Sequence, residues 1–556
     1  MKQRDRSPGR LDASTVEAPS GARSSIDPGP CADLESLRRG RTFEKMPRTG
    51  CSVLPIWQDR IAPIFSAAHD ARNRRFAALA TAGACLLAVA HAWSWRACGP
   101  LDDDAILYRY GANLAHGFGL AFNPGERVEG FTAPPLVLFH AAVESLGSDH
   151  VAASRVLGVA ALVAAVALVA AAWRTVLPRS IVPWPAVLLA AAPAAAFHAV
   201  AGLGTTVAAA CVAAWLLGEA RRACSERAPR GADLALGFAG LVRPELQLLA
   251  VGAAARLAFR REWRRVALTL APPLAWLAFR VAYFGAWLPN TYHAKKLPVL
   301  EDLARGGAYF LESSAVLYAP FGIAVALAAW LVRKPPPHAR ALSVALLLSA
   351  AGAVYVGGDH MPFARLLVPG LPLVAFALML HVARGFGGSV NATAMAGVVV
   401  VAGLQLGQGQ RDERAAAFDQ LERRWRAIGA VLRQRAEPGT LVATEAIGFV
   451  GHESRLPILD MLGLVDAQIA RTEPHLEAEM KGHTKFDAGI VLAREPDVIL
   501  LGNGLLDASG KVPVFVSQRA LATHPRFAAD YEQAVLQIPG SYPLVYWKRR
   551  GARGLR

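Results

Sequence analysis

The chain has 556 residues, of which 54% are hydrophobic and only 18% charged, with a mean hydropathy of +0.31. A soluble protein of this length carries more charge, so composition argues for a polytopic helical membrane protein. The net charge of +16 fits the positive-inside rule and anionic head groups better than nucleic-acid binding, because the Arg residues cluster between apolar runs.

Residues 1–75 are rich in Arg, Ser, Pro and Gly and lack a sustained apolar period, which predicts a disordered, basic cytoplasmic tail. The first apolar run starts near residue 76, so the tail has no signal-peptide layout, and Met46 offers an alternative start. Arg72, Arg74 and Arg75 precede the first span, 76–94, and hold its N-terminus in the cytoplasm. The first outer loop, 95–133, then opens on Asp102-Asp103-Asp104. Three adjacent carboxylates at a membrane edge are costly to keep for packing alone. The loop continues through turn-rich segments, Gly117–Leu120 and Asn123–Thr132, that can form a shaped surface.

The short apolar stretch 134–147 is interfacial, re-entrant or tilted, and spans are predicted at 151–173, 181–198 and 203–218. Arg-rich loops flank 233–255, whose centre is Leu241-Val242-Arg243-Pro244-Glu245. Pro244 must break that helix, which predicts two short helices and sets Arg243 deep in the fold, as a site residue or as the partner of Glu245. Further spans are expected at 266–284, 315–332, 341–356, 366–383 and 390–407, giving about 9–11 in all. Helix parity places Pro289–Lys296, Gly357–Arg365 and everything after 408 on the same outer side as the acid trio. Residues 408–556 gain charge and show strand-like runs at 440–444, 498–501 and 542–546, with a helical period over 412–436, which predicts a C-terminal soluble α/β domain beyond a transmembrane domain of 76–407.

Several polar groups on that side are candidates for chemistry. The Asp trio can supply a general base or hold a divalent cation. His293, Lys295, Lys296 and Arg365 can bind a phosphate or pyrophosphate, although Lys295-Lys296 also suits a snorkelling pair. His360 beside Asp359 reads as a metal ligand or a hydrogen-bonded loop His. His452, Asp460, Asp466, His483 and Lys485 can contact an acceptor or be ordinary loop residues. The six cysteines include no C-x-x-C pair, so neither a zinc site nor a disulfide framework is indicated. No Walker A, G-x-S-x-G or H-E-x-x-H motif occurs, which argues against an ATP-driven pump, an esterase of that type and a zincin. The remaining choices are an enzyme acting on a phosphate-linked lipid or a transporter or flippase of an anionic substrate. A transporter built from repeats would show interrupted helices at matching positions, and only one such break is visible.

Asp103-Asp104-Ala105 with Arg109-Tyr110, Asn113–Leu120 and Phe122–Thr132, followed by Leu241–Glu245, Leu288–Lys295, Tyr355–Pro362 with Arg365, and in the tail Leu459-Asp460, Asp466, Gly482–Lys485 and Arg494–Asp497, resemble the GT-C membrane glycosyltransferases. Within that superfamily the pattern is similar to the mycobacterial terminal β-(1→2)-arabinofuranosyltransferases and their bacterial cousins. The resemblance runs in order over about 76–548. It implies a polyprenyl-phosphate-sugar donor, with a pentofuranose as the sugar, an envelope glycan or glycolipid acceptor, and a reaction on the outer face of the cytoplasmic membrane. It implies Asp103 as base and Asp104 as second choice or orienter, with Arg243, Lys295 and Arg365 on the phosphate side. It also assigns substrate contacts to Asp102, Arg109, Asn290, His293, Asp359 and His360, and acceptor contacts to Asp460, Asp466, His483 and Lys485. If a divalent cation assists, Asp104 and His360 are its first ligands. One departure stands out: relatives carry a Glu where this chain has Gly204 in Gly202-Leu203-Gly204-Thr205. Pro135 likewise replaces a more helix-friendly residue.

Overall fold

The computed structural model describes residues 70–313, 337–385, 411, 413–417, 421–478, 480–504, 515–552 and 555. The expected tail and the spans at 315–332 and 390–407 fall outside these residues, apart from the tail's last few.

Three described helices have the length and apolarity to cross a membrane: Asn73–Ser94, His150–Val176 and Trp263–Phe284. Shorter apolar helices accompany them at Ala232–Val242, Ala341–Tyr355 and Val368–Leu380. The reading of 181–198 as one span is corrected. It forms two eight-residue helices, Trp184–Ala191 and Pro193–Val200, with Ala192 extended between them. Pro193 forces this, because the residue before a proline is pushed out of the helical region. Each piece is about 12 Å long, against the ~30 Å of a bilayer core. The second piece is buried along nearly its whole length, so it packs inside the helix cluster.

The break at Arg243-Pro244 is present. Ala232–Val242 ends there, a short 3-10 turn spans Pro244–Leu246, and Gln247–Phe259 resumes the helix. Arg243 is extended, with φ −137° and ψ 103°, as a residue before proline prefers.

The C-terminal part carries a five-stranded sheet of order β2-β1-β3-β5-β4. β1 (Val442–Thr444) lies parallel to both β2 (Ile458–Asp460) and β3 (Val498–Ile499). β5 (Leu544–Arg549) is antiparallel to β3 and to β4 (Tyr531–Leu536). Side chains alternate between the two faces of a strand. Ala443, Leu459, Ile499 and Val545 therefore face one apolar layer, with Leu521 and Phe527. Val442, Ile458, Val498 and Leu544 face the other, which is continuous with the core of the helical part through Ile106, Leu107 and Phe122. The sheet and the helices share a core.

Polar contacts seat the module. The 447–454 helix lies so close to the start of the 102–115 helix that a Cβ on Gly448 would stand 1.9 Å from the Asp102 carbonyl oxygen, so only glycine fits there. Asp102 accepts hydrogen bonds from the Gly448 and Phe449 amides at 3.0 and 2.8 Å. Arg109 donates to the carbonyls of Phe122, Gly451 and Leu456, and Asn123 exchanges two bonds with the Ile458 backbone.

Candidate functional site

The acid trio opens a helix, Asp102–Ala115, where carboxylates complement the helix dipole. Successive residues on a helix are about 100° apart, so the three carboxylates diverge and their mutual repulsion is relieved. Asp102 faces the C-terminal module; burial, together with Asp103, overrides its two amide bonds and pushes its pKa up to about 7. Asp104 is fully buried; it accepts from Tyr108 and Ser154 hydroxyls at 2.6 Å each and from the Leu203 amide at 2.8 Å. Only Asp103 lines the cavity, with 29% of its side chain exposed.

That cavity has a volume of about 610 Å³. Its apolar wall includes Leu241, Val242, Leu248, Val251 and Leu288. Its ionisable lining holds six cations (Arg243, Arg280, Lys295, Lys296, Arg365 and Lys481) against four acids (Asp103, Glu245, Asp302 and Asp359). The surplus of positive charge suits an anionic ligand.

The two central arginines carry their own carboxylates. Arg243 Nε donates to Glu245 Oε1 at 2.8 Å, both side chains being buried. Arg365 Nε donates to Asp359 at 2.6 Å and its Nη1 stands 3.8 Å from Asp103. Burial opposes the charge on Asp359, but Arg365, helped by His360, Lys295 and Arg243, holds its carboxyl well below the usual range. Lys295 differs: among the described residues it has no ion-pair or hydrogen-bond partner.

The structure thus brings Asp103, Arg243, Lys295, Asp359 and Arg365 to one cavity. Lys296 lines it as well, whereas the remaining sequence candidates lie elsewhere. Asp102 and Arg109, expected at the substrate, instead hold the module in place. So does Asn290, whose amide donates to the Gly463 and Leu464 carbonyls at 2.8 and 3.0 Å. Asp104, the second choice for base, is spent on three interior hydrogen bonds and does not line the cavity. His293 and His360 do not line it either. Burial lowers the pKa of both, with Arg471 and Lys485 adding to the effect at His293. His360 packs against His483, ring centroids 5.7 Å apart, and burial brings His483 down to about 4. Burial thus disfavours the charged form of all three imidazoles. Three acceptor-side candidates are occupied in their own loops. Asp460 accepts from the Leu462 and Val465 amides. Asp466 caps the Gln468 and Ile469 amides and pairs with Arg494. Lys485 donates to the Thr472 carbonyl. His452 lies in a buried ring cluster with Tyr108 and His150. Among the described residues, no group of three or more His, Cys, Asp or Glu is arranged to hold a metal ion.

Gly204 and its neighbours explain the departure at 202–205. Gly202, Leu203 and Gly204 all have positive φ, and the Asp104 carboxylate receives the Leu203 amide of that run. A Cβ at Gly204 would stand 2.5 Å from the Leu136 side chain and 2.9 Å from that of Val242, so a Glu here would have to displace both from a backbone conformation that favours glycine. The charged lining residues that sequence reasoning missed are Arg280, Asp302 and Lys481, the last a cavity cation supplied by the C-terminal module. Lys481 directly precedes the Gly482–Lys485 segment, which was the signal that could have found it.

A family model described as "Domain of unknown function (DUF8728)" matches residues 414–552. No curated protein matches the chain. Among solved structures the chain is similar to ArnT from Cupriavidus metallidurans, crystallised bound to undecaprenyl phosphate. The two are 13% identical, the match covers 86% of this chain and 99% of that one, and the TM-score is 0.52. The likeness is one of fold: this chain has an ArnT-like architecture.

Proposed function

We propose that this protein is a glycosyltransferase that moves a sugar from a polyprenyl-phosphate donor to a cell-envelope glycan or glycolipid. The observation that carries the reading is the cavity in which the partly exposed Asp103 faces a surplus of cations beside an apolar wall. The fold likeness to a protein crystallised with undecaprenyl phosphate supports it.

The apolar wall takes the prenyl chain and the cations take the phosphate. Asp103 accepts the proton of the acceptor hydroxyl, whose oxygen attacks the anomeric carbon. The bond from that carbon to the phosphate oxygen breaks, and its electron pair leaves with the polyprenyl phosphate. Fixed cations stabilise the charge that develops there. Arg365, 3.8 Å from Asp103, orients the base until the acceptor arrives. A pentofuranose is the sugar that the sequence resemblance favours. The reaction belongs to the outer face of the cytoplasmic membrane, with the N-terminus in the cytoplasm and the C-terminal module outside.

The test is transfer from a polyprenyl-phosphate sugar to envelope glycan in membranes containing the protein. Wild type transfers, and Asp103→Asn does not while still binding donor. Full turnover by Asp103→Asn removes the assigned base, and movement of the lipid across the bilayer without transfer makes the protein a flippase. Labelling of single cysteines placed at 103 and 295 from opposite sides of the membrane ends the reading altogether.

A further inference from the structure

The cations of the cavity are of two kinds. Arg243, Arg280 and Arg365 are each matched by a buried acid, Glu245, Glu129 and Asp359. Lys295, Lys296 and Lys481 are not. Asp302, which is 3% exposed, divides its oxygens between two of them: Oδ2 accepts from Lys296 at 2.9 Å and Oδ1 from Lys481 at 2.5 Å. Lys481 also donates to the Val356 carbonyl. The Lys295 side chain runs alongside, its Cε 3.6 Å from where a Cβ on Gly482 would stand. Lys296 and Lys481 therefore share one carboxylate, and the Lys295 ammonium, close enough to act on Lys481, adds a third positive charge without a described partner of its own. Burial lowers the pKa of Lys481, and Lys295 and Lys296 lower it further against the pull of Asp302. An anion entering here relieves that repulsion.

The surplus of ammonium groups points to the kind of anion this cluster suits. A polyprenyl-phosphate sugar is a phosphodiester with one negative charge. The polyprenyl phosphate released from it is a monoester approaching two, since its second pKa is about 6. We propose that Lys295, Lys296 and Lys481 form a phosphate seat matched to the departing monoester rather than to the intact donor, and that Lys481 binds it directly. Resting on the transferase reading above, this assigns the C-terminal module a part in the reaction: it brings one of three cations that stabilise the leaving group. Groups that hold the departing charge more tightly than the ground state accelerate the chemical step.

The experiment measures binding of three probes to the full chain in lipid nanodiscs: a polyprenyl monophosphate, its methyl phosphodiester and the free polyprenol. Wild type binds the monoester at least tenfold more tightly than the diester, and the diester more tightly than the alcohol. The monoester preference grows from pH 5 to pH 7.5 as the second proton leaves. In Lys481→Gln and in Lys296→Gln the preference falls to threefold or less, and Lys481→Arg restores it. Equal affinity of wild type for monoester and diester overturns the proposal, as does a preference that survives Lys481→Gln. The two readings fail separately. If the lysine-dependent preference holds but wild type transfers no sugar, the transferase reading falls and the seat stands. If Lys481→Gln transfers sugar with unchanged kcat and KM, the seat falls and the transferase reading stands.

Discussion

Two clusters of charge in this molecule are built from the same residue types and differ in their balance. Where the helices 205–223, 232–242 and 263–284 meet, Glu219, Asp233 and Glu262 receive Arg222, Arg256 and Arg265, three acids for three cations. Every carboxylate there is engaged, and Asp233 is nearly inaccessible. In the cavity, with Arg280 held by Glu129 from outside the lining, five further cations face four acids and one lysine has no described partner. A balanced cluster fastens helices together, whereas an unbalanced one is still waiting for an anion.

This contrast can be broken in graded ways. The largest effect belongs to Asp103→Asn, which should cut turnover by about 10³-fold, within the range for loss of a general base, and leave the thermal midpoint unchanged. A loss below tenfold would move the base elsewhere. In the balanced cluster, Asp233→Ala strands Arg222 and Arg265 and should cost about 3 kcal/mol of stability, read as a lowered midpoint in detergent. A cavity variant that destabilised equally would erase the distinction. Lys295→Ala should do the opposite of Asp233→Ala: the midpoint holds, and affinity for polyprenyl monophosphate drops about tenfold, the scale of one charge-assisted hydrogen bond. The smallest effect is on pH dependence. Asp102 has its pKa raised to about 7 in the fold, so the unfolded chain loses that proton first. Its contribution is full below the ordinary carboxylate pKa and is lost as pH rises toward 7. Thermal midpoints of wild type and Asp102→Asn should therefore shift against each other between pH 4 and pH 7, wild type losing ground as pH rises. Parallel curves would show that Asp102 ionises freely.

What the sequence made legible follows the same physics. The interruption at Arg243 was readable because proline removes a backbone donor whatever surrounds it. The same rule applied at Pro193, but an unbroken apolar run hid it: hydropathy counts residues and does not see the chain bend. The acid trio was visible as unusual, yet which of three adjacent Asp residues meets the cavity depends on a helix phase that composition does not carry. Arg109 and Asn290 look like ligand contacts because a polar residue in a turn-rich segment has one appearance whether it grips a substrate or a neighbouring backbone. The role of Lys481 was not legible, because it comes from a contact with Asp302 across 179 positions of chain.

The continuity between the sheet's inner face and the helical core bears on how this protein can be divided. The matched segment 414–552 marks a stretch of related sequence, but excising it would leave Val442, Ile458 and Val498 on a bare greasy surface and would discard the acid and the guanidinium that grip the 447–454 helix. A fragment made to those limits should clump in water, and the smallest soluble piece worth purifying would carry the 102–132 segment along with it.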